Sequence, residues 1–257
     1  METVALGEEK IIGSHQKIVD YALLSECFAY PHTDLYRERV KAAHAYLSSF
    51  LPEAAKAMDL FVECVDKSTL IEIQELFLRS FDVQALTTLD IGFILFGEDY
   101  KRGQLLVHLN REHREAGNVC ETELSDHLPN VLRLLPKMKD EQLRNELALK
   151  IVIPAIEKMI GEFEGKKVEK KDEVYKKHQK TVIEYSAVYR TVFQTLLQAL
   201  FITLKNDFGY IPIAELLQES TNKPGIPEEG QACGSCSDDK TPNDFGGNVE
   251  NELNIEQ

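Results

Sequence analysis

The sequence predicts an all-α fold, a single-domain helical bundle with an acidic tail. Three observations carry this. Apolar residues recur at three- and four-residue spacing along most of the chain, alternation of period two is almost absent, and Pro31 and Pro52 fall between the first periodic runs. The bundle spans residues 10–220. Residues 221–257 lack periodic apolar positions, bury too little to offset chain entropy, and are expected to be disordered alone.

The elements follow in order. HQKIVDYALLSECFAYP (15–31) is apolar over most of its circumference and ends before Pro31, as a buried helix should. Residues 34–49 and 53–66 form two more helices, each introduced by a proline-containing break. Over 69–81, Leu70, Ile73, Phe77 and Phe81 make an inward stripe. IGFILF (91–96) would also fit a strand, but it is short and unpartnered, and reads as a buried turn of helix. KRGQLLVHLNREHREAG (101–117) turns Leu105, Leu106 and Leu109 inward, with Gly117 placed for a left-handed end. Leu128, Val131, Leu132 and Leu135 share the next face. ELALKIVIPAIEKMIGEF (146–163) has Leu147, Ile151 and Ala155 on one stripe and Val152, Ile156 and Met159 beside it. Pro154 inside it predicts a kink at Lys150. GEFEGKKVEKKDEVYKKHQK (161–180) reads as a solvated linker or helix face. YSAVYRTVFQTLLQALFITL (185–204) is long enough to suggest a membrane span, yet Arg190, Gln194 and Gln198 oppose Tyr185, Tyr189, Val192, Leu196 and Leu200. That polar stripe marks a central helix of a soluble bundle.

The 257 residues carry a net charge of -14. Half of it lies in the last 40 residues, where nine Asp or Glu stand against two Lys. Binding to nucleic acid or anionic lipid is disfavoured, because both need clustered cations. METVALGEEKIIGSHQK at the start has early acids and no apolar run of signal-peptide length. Cys27, Cys64 and Cys120 are scattered, and an odd total of five suggests reduced thiols and a cytoplasmic location.

Catalytic signatures are missing. No phosphate-binding GxxxxGK[ST], HExxH or paired ExxH occurs. His108 and His113 lie five apart, roughly 140° around a helix, and are expected at the surface. Cys233 and Cys236 form CGSC, for which three readings stay open: an incidental flexible tail, half of a metal or cluster site, or a redox pair. ETELSDHLPNVLRLL (121–135) has two readings. In one, Ser125 or Asp126 caps the helix and Pro129 occupies its first turn. In the other, the segment is a polar corner used for recognition.

LLSECFAYPHTDLYRERV (23–40), with its Tyr30–Pro31 corner, resembles the opening of the NarJ/TorD family of molybdoenzyme-specific chaperones. FLRSFDVQALTTLDIGFILFGEDYKRGQLLVHLNREHREAG (77–117) resembles the nitrate reductase delta-subunit branch. It contains the Phe81–Asp82 step, then an aromatic and aliphatic segment, then Arg102–Gly103. ETELSDHLP resembles that branch's E-L-P-D-H/Y-L-P signature at Glu123, Asp126, His127, Leu128 and Pro129, with Ser125 where the family has proline. The resemblance covers about residues 15–205, with the motifs in family order. It implies a chaperone without catalytic residues or cofactor, acting as monomer or homodimer. The chaperone would bind the N-terminal segment of the apo catalytic subunit of a nitrate reductase-like enzyme and assist molybdenum cofactor insertion. Tyr30, Pro31, Phe81, Asp82, Arg102, Glu123, Asp126, His127 and Pro129 are then the partner-binding candidates. Arg102 would pair with a client carboxylate or with Asp126, and His127 would lend a pH-sensitive edge. The alternative is a helical metal- or redox-carrier working through Cys233 and Cys236.

Overall fold

The computed structural model of the chain describes residues 18–83, 85–164, 168–169 and 189–209. These are all-α. The helices are α1 (Tyr21–Cys27), α2 (Leu35–Phe50), α3 (Pro52–Lys67), α4 (Leu70–Phe81), α5 (Ile91–Phe96), α6 (Tyr100–Glu115), α7 (Leu128–Leu134), α8 (Glu141–Leu147), α9 (Ile153–Gly161) and α10 (Val192–Phe208). No strand occurs among the described residues, only an isolated antiparallel bridge between Asp90 and His127. One compact unit runs over Met1–Pro212. The second, Ile213–Gln257, lies outside the described residues together with the acidic tail, Cys233 and Cys236. Tyr185 and most of the lysine-rich run over 161–180 lie outside them as well.

The apolar stripes become one core. α10 buries Val192, Phe193, Leu196, Leu197, Leu200 and Leu204, and packs chiefly against α3 and α9. Phe193 lies 5.0 Å from both Phe61 and Phe81 between ring centroids, and 5.8 Å from Phe77. α4 starts on a reciprocal cap, Thr69 accepting from Glu72 N–H while the Glu72 carboxylate accepts from Thr69 N–H. No described helix is long and apolar enough to cross a membrane. Arg190, however, does not join Gln198 on an exposed stripe. It lies two residues before the first residue of α10 and is buried.

Two elements depart from expectation. α1 ends at Cys27, three residues before Tyr30, so the Tyr30–Pro31 corner lies outside the helix, in a tight turn in which His32 N–H donates to the Tyr30 carbonyl at 2.9 Å. The kink expected at Lys150 takes the form of a π turn, Ala148–Val152, between α8 and α9. Pro154 has no N–H, and its ring would press on the Lys150 carbonyl in a continuous α-helix. The backbone underwinds instead, and Ile153 N–H reaches back five residues to the Ala148 carbonyl. α6 ends as expected, with Gly117 at φ +61° directly after the Ala116 cap.

Candidate functional site

α5 and the 121–127 corner are sewn together by two backbone bonds. Ile91 N–H donates to the Asp126 carbonyl (3.0 Å) and Leu128 N–H to the Leu89 carbonyl (2.8 Å). This sets Asp90 opposite His127, whose Nδ1 donates to Asp90 Oδ1 at 3.1 Å. Arg102, in the first turn of α6, joins both sides. Its Nε donates to Asp126 Oδ2 at 2.9 Å, and one Nη donates to Asp90 Oδ2 at 2.9 Å. The Asp126 side chain is fully buried, whereas Arg102 and Asp90 keep 17% and 28% exposure. The guanidinium also lies 5.4 Å from the half-exposed Phe93 ring.

The electrostatics follow from this geometry. The hydrogen bond from His127 does most to hold the Asp90 carboxyl below the usual carboxylate range. The charges of His127 and Arg102 add to it, against burial. The bond to Asp126 does most to raise the Arg102 pKa. Gly92 makes the seat possible. A Cβ there would lie 2.5 Å from Asp126 Oδ2, 3.1 Å from Leu105 Cδ2 and 3.3 Å from Arg102 Cγ.

Neither Ser125 nor Asp126 caps α7. His127 occupies the cap position without a side-chain cap bond, and Pro129 is in the first turn. Asp126 answers the Arg102 guanidinium rather than a backbone N–H, and the cation is the stronger partner, while Ser125 Oγ donates to the Leu106 carbonyl at 3.4 Å. His108 is exposed, but His113 is buried rather than at the surface. Its Nε2 donates to the Ser125 carbonyl (3.0 Å) and its Nδ1 accepts from Asn118 Nδ2 (2.9 Å). Asn118 also donates to the Asn130 carbonyl and accepts from Lys137 Nζ at 2.7 Å. Burial is the main cause that lowers the His113 pKa, and the charges of Arg133 and Lys137 reinforce it.

Beside this cluster an apolar groove of about 200 Å³ runs between α6 and α8 with its π turn. Leu105, Leu109, Met138, Leu143, Leu147 and Ile151 line it. His108, Arg111, Glu112, Glu146 and Lys150 complete the lining with polar and charged groups. Leu105 serves both places, since it also abuts Gly92.

Arg102, Asp126 and His127 are therefore brought together, and Asp90 joins them. The other candidates lie elsewhere or below the surface. Tyr30 packs edge-on against Phe77 (5.5 Å), and the Pro31 carbonyl accepts from Gln74 Nε2 (2.9 Å). Phe81 is buried against Phe77, Phe163 and Phe193, so it is core rather than a contact residue. Pro129 is buried too, and Asp126 has no surface for a partner to touch. Asp82 and Glu123 are exposed. Asp90, Asn118 and Asn130 were not foreseen: Asp90 precedes IGFILF as an ordinary helix cap would, although its side chain makes no cap bond.

Fold and site define an all-α, single-domain protein whose polar cluster locks a corner beside an apolar groove. No protein-family model matches the chain, and no characterised protein matches it in sequence.

Proposed function

We propose that the protein is a chaperone that binds the N-terminal segment of the apo catalytic subunit of a nitrate reductase-like molybdenum oxidoreductase and assists cofactor insertion and assembly. The observation that carries this reading is the apolar groove flanked by charged groups at the α6–α8 junction. An amphipathic helix can lay its apolar face in such a groove while polar groups at the edge fix its direction. The motif residues that resemble the NarJ/TorD family support the reading by their place. Arg102 and Asp126 anchor the N-terminal half of α6, and Leu105 of the same helix forms part of the groove. In this reading Asp126 and Pro129 position the corner, and His127 and Arg102 form its edge.

The test is titration of the full-length protein into a fluorescent peptide of the catalytic subunit's N-terminal segment. Ile151 is half-buried on the groove wall at the edge of the core, so Ile151→Glu removes one apolar anchor, and a cooperative melt of the variant is the check that its fold is kept. Losing such an anchor costs about 1.5–3 kcal/mol, so affinity should fall tenfold or more. Absence of binding by the unmodified protein, or an Ile151→Glu variant that binds equally well, rejects the proposal.

A further inference from the structure

His113 fastens the C-terminal end of α6, and its neighbours dictate its protonation state. Lys137 Nζ can only donate, so the Asn118 amide must turn its oxygen to it (2.7 Å). The Asn130 carbonyl can only accept, so the amide nitrogen must face that side (3.1 Å). The same nitrogen then donates to His113 Nδ1, and the proton on Nε2 goes to the Ser125 carbonyl. A second ring proton has no acceptor. On Nδ1 it would meet the Asn118 N–H across 2.9 Å. Turning the amide over would set its nitrogen against the Lys137 ammonium and its oxygen against the Asn130 carbonyl. The charges acting on the ring, Arg133 of α7 and Lys137 of the short 3-10 helix that follows it, are both positive. The neighbouring carboxylates are engaged elsewhere, Asp126 with Arg102 and Glu112 with Arg111.

We infer that His113 is an acid-operated latch: its protonation expels the ring from this seat and frees the C-terminal half of α6 while the core around α3 and α10 stays closed. That half carries Leu109, Arg111 and Glu112 of the groove wall. Leu109 and His113 are the buried residues of the helix, so its release exposes little apolar surface. As control of a client groove, the latch rests on the function proposed above, but it is a property of the helix and is tested without a client. Burial, reinforced by the two positive charges, holds the seated ring below the value of a free histidine. The released ring regains that value, about 6.5. Opening therefore takes up one proton below it, and the open population grows by up to about tenfold per pH unit until the folded pKa is reached.

Hydrogen–deuterium exchange of the full chain, followed by mass spectrometry between about pH 7.5 and pH 5.5, tests this across the range in which a free histidine titrates. Dividing the exchange rate of the α6 peptide by that of the α3 peptide in the same digest cancels the intrinsic effect of pH. In the unmodified protein the ratio should rise by up to about tenfold between pH 6.5 and pH 5.5. In His113→Gln, whose amide can still donate to the Ser125 carbonyl but does not titrate, it should stay flat. Lys137 is exposed, and Lys137→Met removes one of the two charges and the donor that fixes the Asn118 amide, so the rise should shrink. A flat ratio in the unmodified protein, or a rise undiminished in either variant, overturns the inference.

Discussion

Replacing Arg102 with methionine tests whether the polar cluster is a structural lock. The change keeps the aliphatic stem and removes the charge that Asp126 faces at 2.9 Å. At an effective dielectric of about 20, opposite charges about 4 Å apart attract by about 4 kcal/mol, and breaking a buried pair costs about 3–5 kcal/mol. Asp126 is wholly buried, but Arg102 and Asp90 remain partly wet, which places the expected loss near the lower end, at about 3 kcal/mol. Asp126→Asn keeps the shape and an acceptor and should cost about 1–2 kcal/mol. In the double variant no buried charge is stranded, so its loss should fall short of the sum by about 1–2 kcal/mol. The cycle also cancels the Arg102–Phe93 contact, which both methionine variants lose. Urea denaturation followed by circular dichroism supplies all four free energies, and an unchanged urea slope would show that the unfolded reference is preserved. In a unit of this size Arg102→Met should melt about 6–12 °C lower. Losses that add to within about 0.5 kcal/mol, or an Arg102→Met variant as stable as its parent, would refute the reasoning.

Two further outcomes follow from the same region. Gly92→Ala gains about 1 kcal/mol of helix propensity but drives a methyl to 2.5 Å from Asp126 Oδ2, an oxygen that Arg102 and the Ile91–Asp126 backbone bond keep from retreating. Overpacking at about 1–3 kcal/mol should win, giving a lower melting temperature, and a higher one would show that the seat is slack. His113 makes stability depend on acid. Its folded pKa lies below the unfolded value of 6.5, so its contribution is present above that value and is lost as pH falls through the folded pKa. His113→Gln should be less stable at neutrality yet lose less between about pH 7 and pH 5, and parallel stability profiles for variant and parent would count against a buried neutral imidazole.

How much of this was legible in the sequence depends on how local its cause is. α2, α3 and α4 fall within a residue or two of their predicted spans, because proline breaks and inward stripes are properties of neighbouring residues. Pro154 announced a disturbance, but whether a helix answers by bending or underwinding depends on what packs around it. The pairing of Arg102 with Asp126 was one of two foreseen options. Asp90 entered unseen because contact with Arg102 twelve residues on, and with His127 37 residues on, depends on how the corner folds back. His113 misled for the same reason. Within REHRE it looks like part of a charged face, and only the segment from Asn118 to Asn130 laid over it makes it a buried residue.

α6 is the element through which these observations act on one another. It is as long as α3, yet only Leu109 and His113 are buried on it, against six residues on α3. Its attachment therefore depends unusually on polar contacts, Arg102 near one end and His113 near the other. Between them lie Leu105 and Leu109, which line the groove. A helix held this way can yield without opening the core that α3, α4 and α10 share, since little buried apolar area is exposed when it shifts. Loosening either polar anchor should therefore widen the groove before it unfolds the protein. The fully buried Asp126, which no partner can touch, then governs the groove indirectly by fixing where Arg102, and with it the α6 wall, comes to rest.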